Sequence, residues 1–385
     1  MKSILYVSRE LKRMAKQYEY IVVYGAGVWG RYCKEFLDNC HITIECFVVS
    51  NIRENNIDVL INNIPVYDIK DFPYSAEMTS QNTLFIVAVS DKYVNEICTN
   101  LKMIIGDKLN IYIYSRKMKN SYIGITTVAG CRVNCSYCPQ EVFLKKYYGS
   151  NNAQQRLSLS EYQKILSNIP TEVQINFAGF SEPFLNDECK EMILYTAKKG
   201  HYVQIFTTMV GLTKEIIEEI FGHADFILHL PGNDETNIAI DDVYIDCLKL
   251  LFEKNKIDRR IKYISVPGGG INSKLAPYIS SDVTIDSYCM DRAGNVEQGI
   301  KSEYSGSLTC MRTYNRLDQN VMLPNGDLIL CCQDWELRYV LGNLKDTTYI
   351  DILESKNADK IRKEMASGKE DMICCKCNYA IELID

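Results

Sequence analysis

Histidine is scarce here: the 385-residue chain has four, none of them near its densest group of cysteines. Zinc sites built on imidazole are therefore poorly served. No segment approaches the ~18 consecutive apolar residues that a membrane-spanning helix needs, so no membrane span is expected. No basic run or stripe stands out, and the formal net charge is −6. Nucleic acid is not an expected partner, and the charged residues read as a solvated surface. The opening stretch MKSILYVSRELKRMAKQYEY lacks a long apolar core and a small-residue cleavage site. It does not read as a secretory signal, which makes a cytoplasmic protein the expectation. Repeats of solenoid length and low-complexity tracts are also missing.

Cysteine, by contrast, is abundant: sixteen residues in a chain that is 46% apolar and long enough for two or three domains. Disulfides are disfavoured in the cytosol, so clustered cysteines there point to metal or redox chemistry. Cys33, Cys40, Cys46 and Cys98 are scattered among apolar residues and read as small buried hydrophobes. Cys131, Cys135 and Cys138 form one group, and Cys310, Cys331, Cys332, Cys374, Cys375 and Cys377 form another.

Residues 1–117 read as an α/β unit. YIVVY, from Tyr20 to Tyr24, is a buried strand that runs into a glycine turn and a helix extending through about Asp38. TIECFVVS, LFIVAVS and NIYIYSR are further strands, with helical stretches expected between them, which argues for a parallel sheet. Gly25, Gly27 and Gly30 form G-x-G-x-x-G between strand and helix, the context the dinucleotide fingerprint requires. The acid that should close the second strand is missing, since that strand ends Val49-Ser50-Asn51, and this argues against NAD. Two readings stay open: a phosphate held at the helix N-terminus, or glycines serving a tight turn and close packing. YGAGVWG, FVVSN, IPVYDIKDF and FIVAVS together resemble the N-terminal domains of sugar O-acetyltransferases and other surface-polysaccharide enzymes. That resemblance implies a Rossmann-like domain that binds a nucleotide or nucleotide-sugar, or that docks a partner.

From about Tyr122 the pattern restarts. IGITTVAG, QINFAGF, YVQIFTT, DFILHLPG and IKYISVPGGG read as strands, with helical stretches such as LSLSEYQKILSNI and TKEIIEEIF between them. This alternation predicts an open or closed parallel α/β barrel, whose sites collect at the C-terminal ends of the strands. The loop GCRVNCSYCPQ sits at such an end and sets Cys131, Cys135 and Cys138 in a C-x3-C-x2-C frame. Three thiolates suit a closed zinc site with a distant fourth ligand, or a four-iron cluster with one iron left open. The frame resembles that of the radical S-adenosylmethionine (SAM) superfamily, over roughly residues 118–300. AGFSEP, from Ala178 to Pro183, is similar to the superfamily's glycine-glycine-glutamate motif. The resemblance implies a partial (β/α)6 barrel and a [4Fe-4S] cluster on the three cysteines. It also implies SAM held near Gly179, Ser181 and Glu182, with Tyr137 packed beside cluster and adenine. Thr207 and Thr208 are expected at its ribose or carboxylate. A flavodoxin or ferredoxin is the implied electron donor.

Cys310, Gly326 and Cys331 give C-x15-G-x4-C, and Cys374 and Cys377 give C-x2-C. This is similar to the twitch form of the SPASM extension, over residues 301–385, with LPNGDLILCCQDW as a β-hairpin and the LGNLKDTTYIDILESKNADKIRKEMASG stretch as loop and helix. The resemblance implies one auxiliary [4Fe-4S] cluster on Cys310, Cys331, Cys374 and Cys377. Cys375 competes with Cys374 for that role, and zinc on the same four thiols is the competing metal. Cys332 and Cys289 are candidate hydrogen-atom donors to a substrate radical. Arg292, in the RAGN turn, is a candidate for a substrate carboxylate or phosphate, with an interdomain salt bridge as its other reading. Asn233, Asp234 and His229 are candidate polar contacts at the rim. The expected activity is oxidation or epimerisation of a sugar, nucleotide-sugar or related small molecule. The alternative is modification of a peptide or protein, and a non-enzymatic iron–sulfur scaffold is the third reading.

Overall fold

The computed structural model describes residues 11–39, 41–52, 59–61, 63–72, 78, 81–89, 91–106, 108–114, 121–135, 137–233, 237–267, 270–297, 299–310, 312–313 and 316–382. The chain divides into two compact units, Lys2–Lys119 and Asn120–Asp385. Among the described residues no helix is long and apolar enough to cross a membrane.

In the first unit, β1 (Tyr20–Tyr24) leads into α1 (Val28–Asn39), followed by β2 (Cys46–Val49), β3 (Leu60–Ile61), β4 (Ile64–Asp68), β5 (Thr83–Val87), α2 (Asp91–Ile105) and β6 (Asn110–Ile113). The sheet order is β3-β4-β2-β1-β5-β6, and all neighbours except the β3–β4 hairpin run parallel. β1 and β5 sit centrally because their continuous apolar runs can be covered on both faces, as a parallel sheet demands. Val22, Val48, Phe85, Val87 and Leu101 meet in the core. Cys33 and Cys46 are buried and Cys98 is half-buried, while Cys40 lies outside the described residues.

One expectation is corrected here. The connection between the second and third sequence-predicted strands carries a hairpin, β3–β4, where helix was expected. The β-branched residues of IPVYD favour an extended chain, and Asn63 takes the left-handed turn conformation, φ 64°, that reverses it. β4 then extends the sheet beside β2. Chain order reverses on either side of β1, so the glycine loop lies at a topological switch point. Gly25 has φ +114°, and a Cβ on Gly30 would lie 1.8 Å from the Gly25 carbonyl oxygen. Those two glycines serve the turn and the close approach of α1, while a Cβ on Gly27 would meet nothing within 4 Å.

The second unit holds a nine-stranded sheet. Its β7 (Tyr122–Ile125), β8 (Gln174–Phe177), β9 (Val203–Thr207), β10 (Asp225–His229), β11 (Ile261–Ser265) and β12 (Ile285–Asp286) are consecutive parallel neighbours. Between them run α3 (Gln140–Tyr148), α4 (Leu159–Leu166), α5 (Cys189–Lys198), α6 (Lys214–Ile220) and α7 (Asp242–Asn255). This is the expected partial (β/α)6 barrel. Its sixth strand is only two residues long, and no apolar run announces it.

The barrel sheet does not stop at β7. After β13 (Leu308–Cys310), strand β14 (Gln319–Met322) pairs with β7 in parallel, Gln319 opposite Tyr122 and Met322 opposite Ile125. β15 (Asp327–Ile329) and β16 (Val340–Asn343) continue the sheet antiparallel. The β14–β15 turn closes as the Asn-Gly-Asp sequence suggests: Gly326, at φ +90°, donates its N–H to the Leu323 carbonyl at 2.9 Å. The LGNLKDTT stretch, expected as a loop, begins as β16, and α8 (Tyr349–Leu353) and α9 (Lys356–Ala366) follow. β17 (Ala380–Glu382) pairs antiparallel with β13 and draws the C-terminal cysteines toward Cys310. Lys345, just past β16, bonds Glu161 at 2.9 Å and so ties this extension to the capping box that starts α4. Burial alone would raise the Glu161 pKa, but Lys345, Ser158 and Gln154 outweigh it and hold the carboxyl down to about 2.

Candidate functional site

Beyond β7 the chain passes through buried Thr126 and Thr127 into the cysteine loop, with Gly130 at φ +107° and Asn134 at φ 46° shaping its turns. The Cys138 N–H donates to the Cys135 carbonyl at 3.0 Å. Cys131, Cys135 and Cys138 line one side of a cavity of about 130 Å³. Gly179–Glu182 of the AGFSEP turn, Thr208, His229 and Arg292 line it as well, with Tyr137, Gln140 and Trp335. The structure thus brings together most of the residues expected to hold the cluster and SAM.

Glu182 organises this wall. It is buried, and its carboxylate accepts from the Thr207 hydroxyl at 2.7 Å, the Thr208 hydroxyl at 2.7 Å and the Thr208 N–H at 2.6 Å. Burial pushes its pKa up to about 7 against these bonds. Thr207 lines neither this cavity nor the next, so the structure does not place it at the expected ribose or carboxylate position. Side chains alternate along β9: Val203, Ile205 and Thr207 are buried, whereas Phe206 and the following Thr208 face the neighbouring cavity. Thr207 supports Glu182 from behind.

Gly179 has φ +73°, and a Cβ there would lie 2.1 Å from Thr126 Oγ1. Gly179→Ala is expected to cost about 3 kcal/mol, combining left-handed strain with displacement of Thr126. A denaturant titration paired with SAM binding checks this: affinity should fall together with stability, because the displaced wall is the cavity wall.

A second cavity, of about 330 Å³, adjoins the first and shares Tyr137, Gly179, Glu182, Thr208, His229 and Arg292 with it. It extends to Tyr263, Asp286, Tyr288, Cys289, Arg312, Cys332 and Tyr379. Burial and the neighbouring Arg292 push the His229 pKa down to about 4, so its imidazole is neutral at pH 7. Arg292, Ala293 and Gly294 all have positive φ, and the Asn295 side chain fastens this turn by donating to the Arg292 carbonyl at 2.9 Å. Asn233 accepts from the Ser273 N–H at 3.0 Å and lines neither cavity, so it is a loop fastener here; Asp234 lies outside the described residues.

A third cavity, of about 40 Å³, is ringed by Cys310, Cys331, Cys374 and Cys377, with Cys332 also on its wall. Cys375 is absent from this ring, and its thiol donates to the Lys369 carbonyl at 3.5 Å. Arg312, Cys332 and Tyr379 line both this cavity and the second. The Arg312 guanidinium donates to the Tyr122 hydroxyl, reaches Cys332 Sγ at 3.5 Å and stacks 4.7 Å from the Tyr379 ring centroid.

The donor chemistry tests which groups fit. Among the described residues no three Cys, His, Asp or Glu side chains converge as they would around a single metal ion. The thiols instead line two cavities, and thiolate is the ligand iron–sulfur clusters use. Three buried polar atoms on the first cavity's residues, Gln140 Nε2, Ser181 Oγ and Trp335 Nε1, have no hydrogen-bond partner. Unsatisfied buried polar groups are costly, and such a set fits a polar occupant. Gln140, Trp335 and Arg312 had no signal in the sequence, because each is significant only through what the fold sets beside it.

Residues 310–378 match the SPASM family, an iron-sulfur cluster-binding domain. The chain is also 22% identical over 266 residues to an S-adenosyl-L-methionine-dependent 2-deoxy-scyllo-inosamine dehydrogenase from Niallia circulans, covering 67% of this chain and 92% of that protein. The chain is a radical SAM enzyme with a SPASM domain. Its cofactors are SAM and [4Fe-4S] clusters. Solved structures similar to this radical SAM enzyme include BtrN in complex with AdoMet and 2-DOIA, at TM-score 0.43 and 17% identity over 68% of this chain and 93% of that one. Streptococcus suis SuiB bound to precursor peptide SuiA matches at TM-score 0.41 and 12% identity, over 68% of this chain and 70% of that one. The enzyme anSMEcpe with bound AdoMet matches at TM-score 0.39 and 15% identity, over 67% and 86%.

Proposed function

We propose that this radical SAM enzyme oxidises a sugar, nucleotide-sugar or related small molecule whose reacting ring occupies the second cavity. The observation that carries this reading is the row of three cavities. The cysteine-loop cavity and the four-thiol cavity each share walls with a space of about 330 Å³, a size suited to a small polar ligand. In this reading Cys131, Cys135 and Cys138 hold the SAM-binding cluster, and Cys310, Cys331, Cys374 and Cys377 hold the auxiliary one. When bound, cluster and SAM together supply a 5′-deoxyadenosyl radical that takes a hydrogen atom from a substrate carbon.

The chain's own residues supply position and proton control. Glu182, clamped by Thr207 and Thr208, fixes the wall that receives SAM, with Tyr137 packed against it. Tyr263, Tyr288, Asp286 and Arg312 offer donors and acceptors to ring hydroxyls. His229, neutral at pH 7, can accept the proton of a hydroxyl being oxidised. The one remaining electron would pass to the auxiliary cluster that Cys310, Cys331, Cys374 and Cys377 would hold. Arg292 faces both cavities and suits an anionic group of SAM or substrate. Cys332 on the shared wall favours a second outcome, epimerisation, in which its thiol would return a hydrogen atom to the substrate radical.

Residues 1–117 would act as a nucleotide-binding or docking domain, residues 118–300 as the radical core and 301–385 as the auxiliary-cluster domain. A flavodoxin or ferredoxin would deliver electrons in the cytoplasm. The test uses anaerobically loaded full-length enzyme with dithionite and SAM, assayed against deuterated cyclitols, sugars, nucleotide-sugars and peptides. Deuterium transfer into 5′-deoxyadenosine from a sugar-type compound, with a ketone product, supports oxidation. Transfer with an inverted centre and solvent hydrogen incorporated supports epimerisation. Transfer from peptides alone refutes the small-molecule assignment.

A further inference from the structure

Trp335 follows β15 in the SPASM domain, yet it lines the cavity of the radical core's cysteine loop. Its ring is 95% buried, 4.3 Å from the Phe180 centroid, in an apolar group against which Cys138 packs. Its Nε1–H has no acceptor. Indole nitrogen can only donate, so the atom missing from its surroundings is an acceptor. Gln140, 3% exposed and lining the same cavity, leaves Nε2 without a partner while its Oε1 accepts from the Cys138 thiol at 3.8 Å. That arrangement suits a protonated thiol only. A metal-bound thiolate has no proton to give, and a half-turn of the amide presents Nε2–H to it instead.

We propose that Trp335 and Gln140 donate hydrogen bonds to the sulfur atoms of the cluster held by the cysteine loop, and that the SPASM domain thereby tunes the reduction potential of the core's cluster. The inference rests on Cys131, Cys135 and Cys138 being that cluster's ligands. Hydrogen bonds to cluster sulfurs stabilise the more negative, reduced state and raise the potential.

The experiment is an EPR-monitored redox titration of the loaded full-length enzyme, following the signal that SAM perturbs. Persistence of that signal in Cys135→Ala would show that the ligand reading itself is wrong, separately from the role of Trp335. Trp335→Phe keeps the packed ring and removes the donor. It is expected to shift the reduction equilibrium about tenfold toward the oxidised state, about 59 mV for a one-electron couple. Gln140→Leu should shift it the same way, and SAM affinity should stay within about twofold in both. Should Trp335→Phe fail to load, wild-type enzyme labelled with 15N-indole tryptophan still decides. The chain has two tryptophans, Trp29 and Trp335, and a 15N coupling to the reduced cluster is expected to survive Trp29→Phe. Unmoved potentials with full iron content, or no indole coupling, overturn the proposal. A loss of SAM affinity at unchanged potential also overturns it, by giving the donors to SAM.

Discussion

Cys135→Ala is expected to reduce 5′-deoxyadenosine formation to background while the enzyme keeps its fold and about four of its irons. Each loop cysteine is half-buried, and the loop hangs from the barrel rim rather than filling the core. Trimming one side chain there should change global stability by about 1 kcal/mol or less. The chemistry, in contrast, loses its anchor. A cluster already one protein ligand short cannot lose a second and still leave a single iron open to SAM. The auxiliary cysteines stand around a different cavity and should load normally. Iron and sulfide counts, with SAM cleavage under dithionite, check this for Cys131, Cys135 and Cys138 alike. A closed structural zinc site would give the reverse: no iron in the wild type and a large loss of stability in the variant.

The second large effect separates two adjacent cysteines. Cys374→Ser is expected to remove the auxiliary cluster, and with it product formation, whereas Cys375→Ser should leave both at wild-type levels. Cys374 shares the ring of Cys310, Cys331 and Cys377, and burial, with the Cys377 and Cys310 thiols beside it, pushes its pKa far up. Cys375 turns outward to the Lys369 carbonyl. SAM cleavage without substrate should persist in Cys374→Ser, because the core cluster is untouched. Iron counts and product assays on the two variants read the contrast directly, and equal losses in both would assign the two thiols interchangeable roles.

The chemistry-bearing loop was legible because its ligands are neighbours along the chain. C-x3-C-x2-C needs no tertiary knowledge, and neither does a glutamate at the end of a strand. The barrel strands were legible for a similar reason, since buried parallel strands read as apolar runs. What stayed hidden depends on contacts between distant segments. Arg312 meets Tyr122 only because β14 pairs with β7. Trp335 reaches the cysteine loop by the same route. Strands β12 and β3 have two residues each and no pattern to read. Thr207 and Thr208 were named together, and alternation at the end of β9 leaves only Thr208 on a cavity wall.

The parallel pairing of β14 with β7 also bears on how the protein is made. Synthesis runs from the N-terminus, so β7 and its cysteine loop leave the ribosome nearly 200 residues before the strand that covers their edge, Ser121 and its partner Asp318 being 197 positions apart. During that interval the first barrel strand offers unpaired backbone groups to any passing chain. A separate and still later pairing, β17 with β13, then brings the C-terminal cysteines to Cys310. A chain terminated before β14 would carry the cysteine loop on an open-edged sheet.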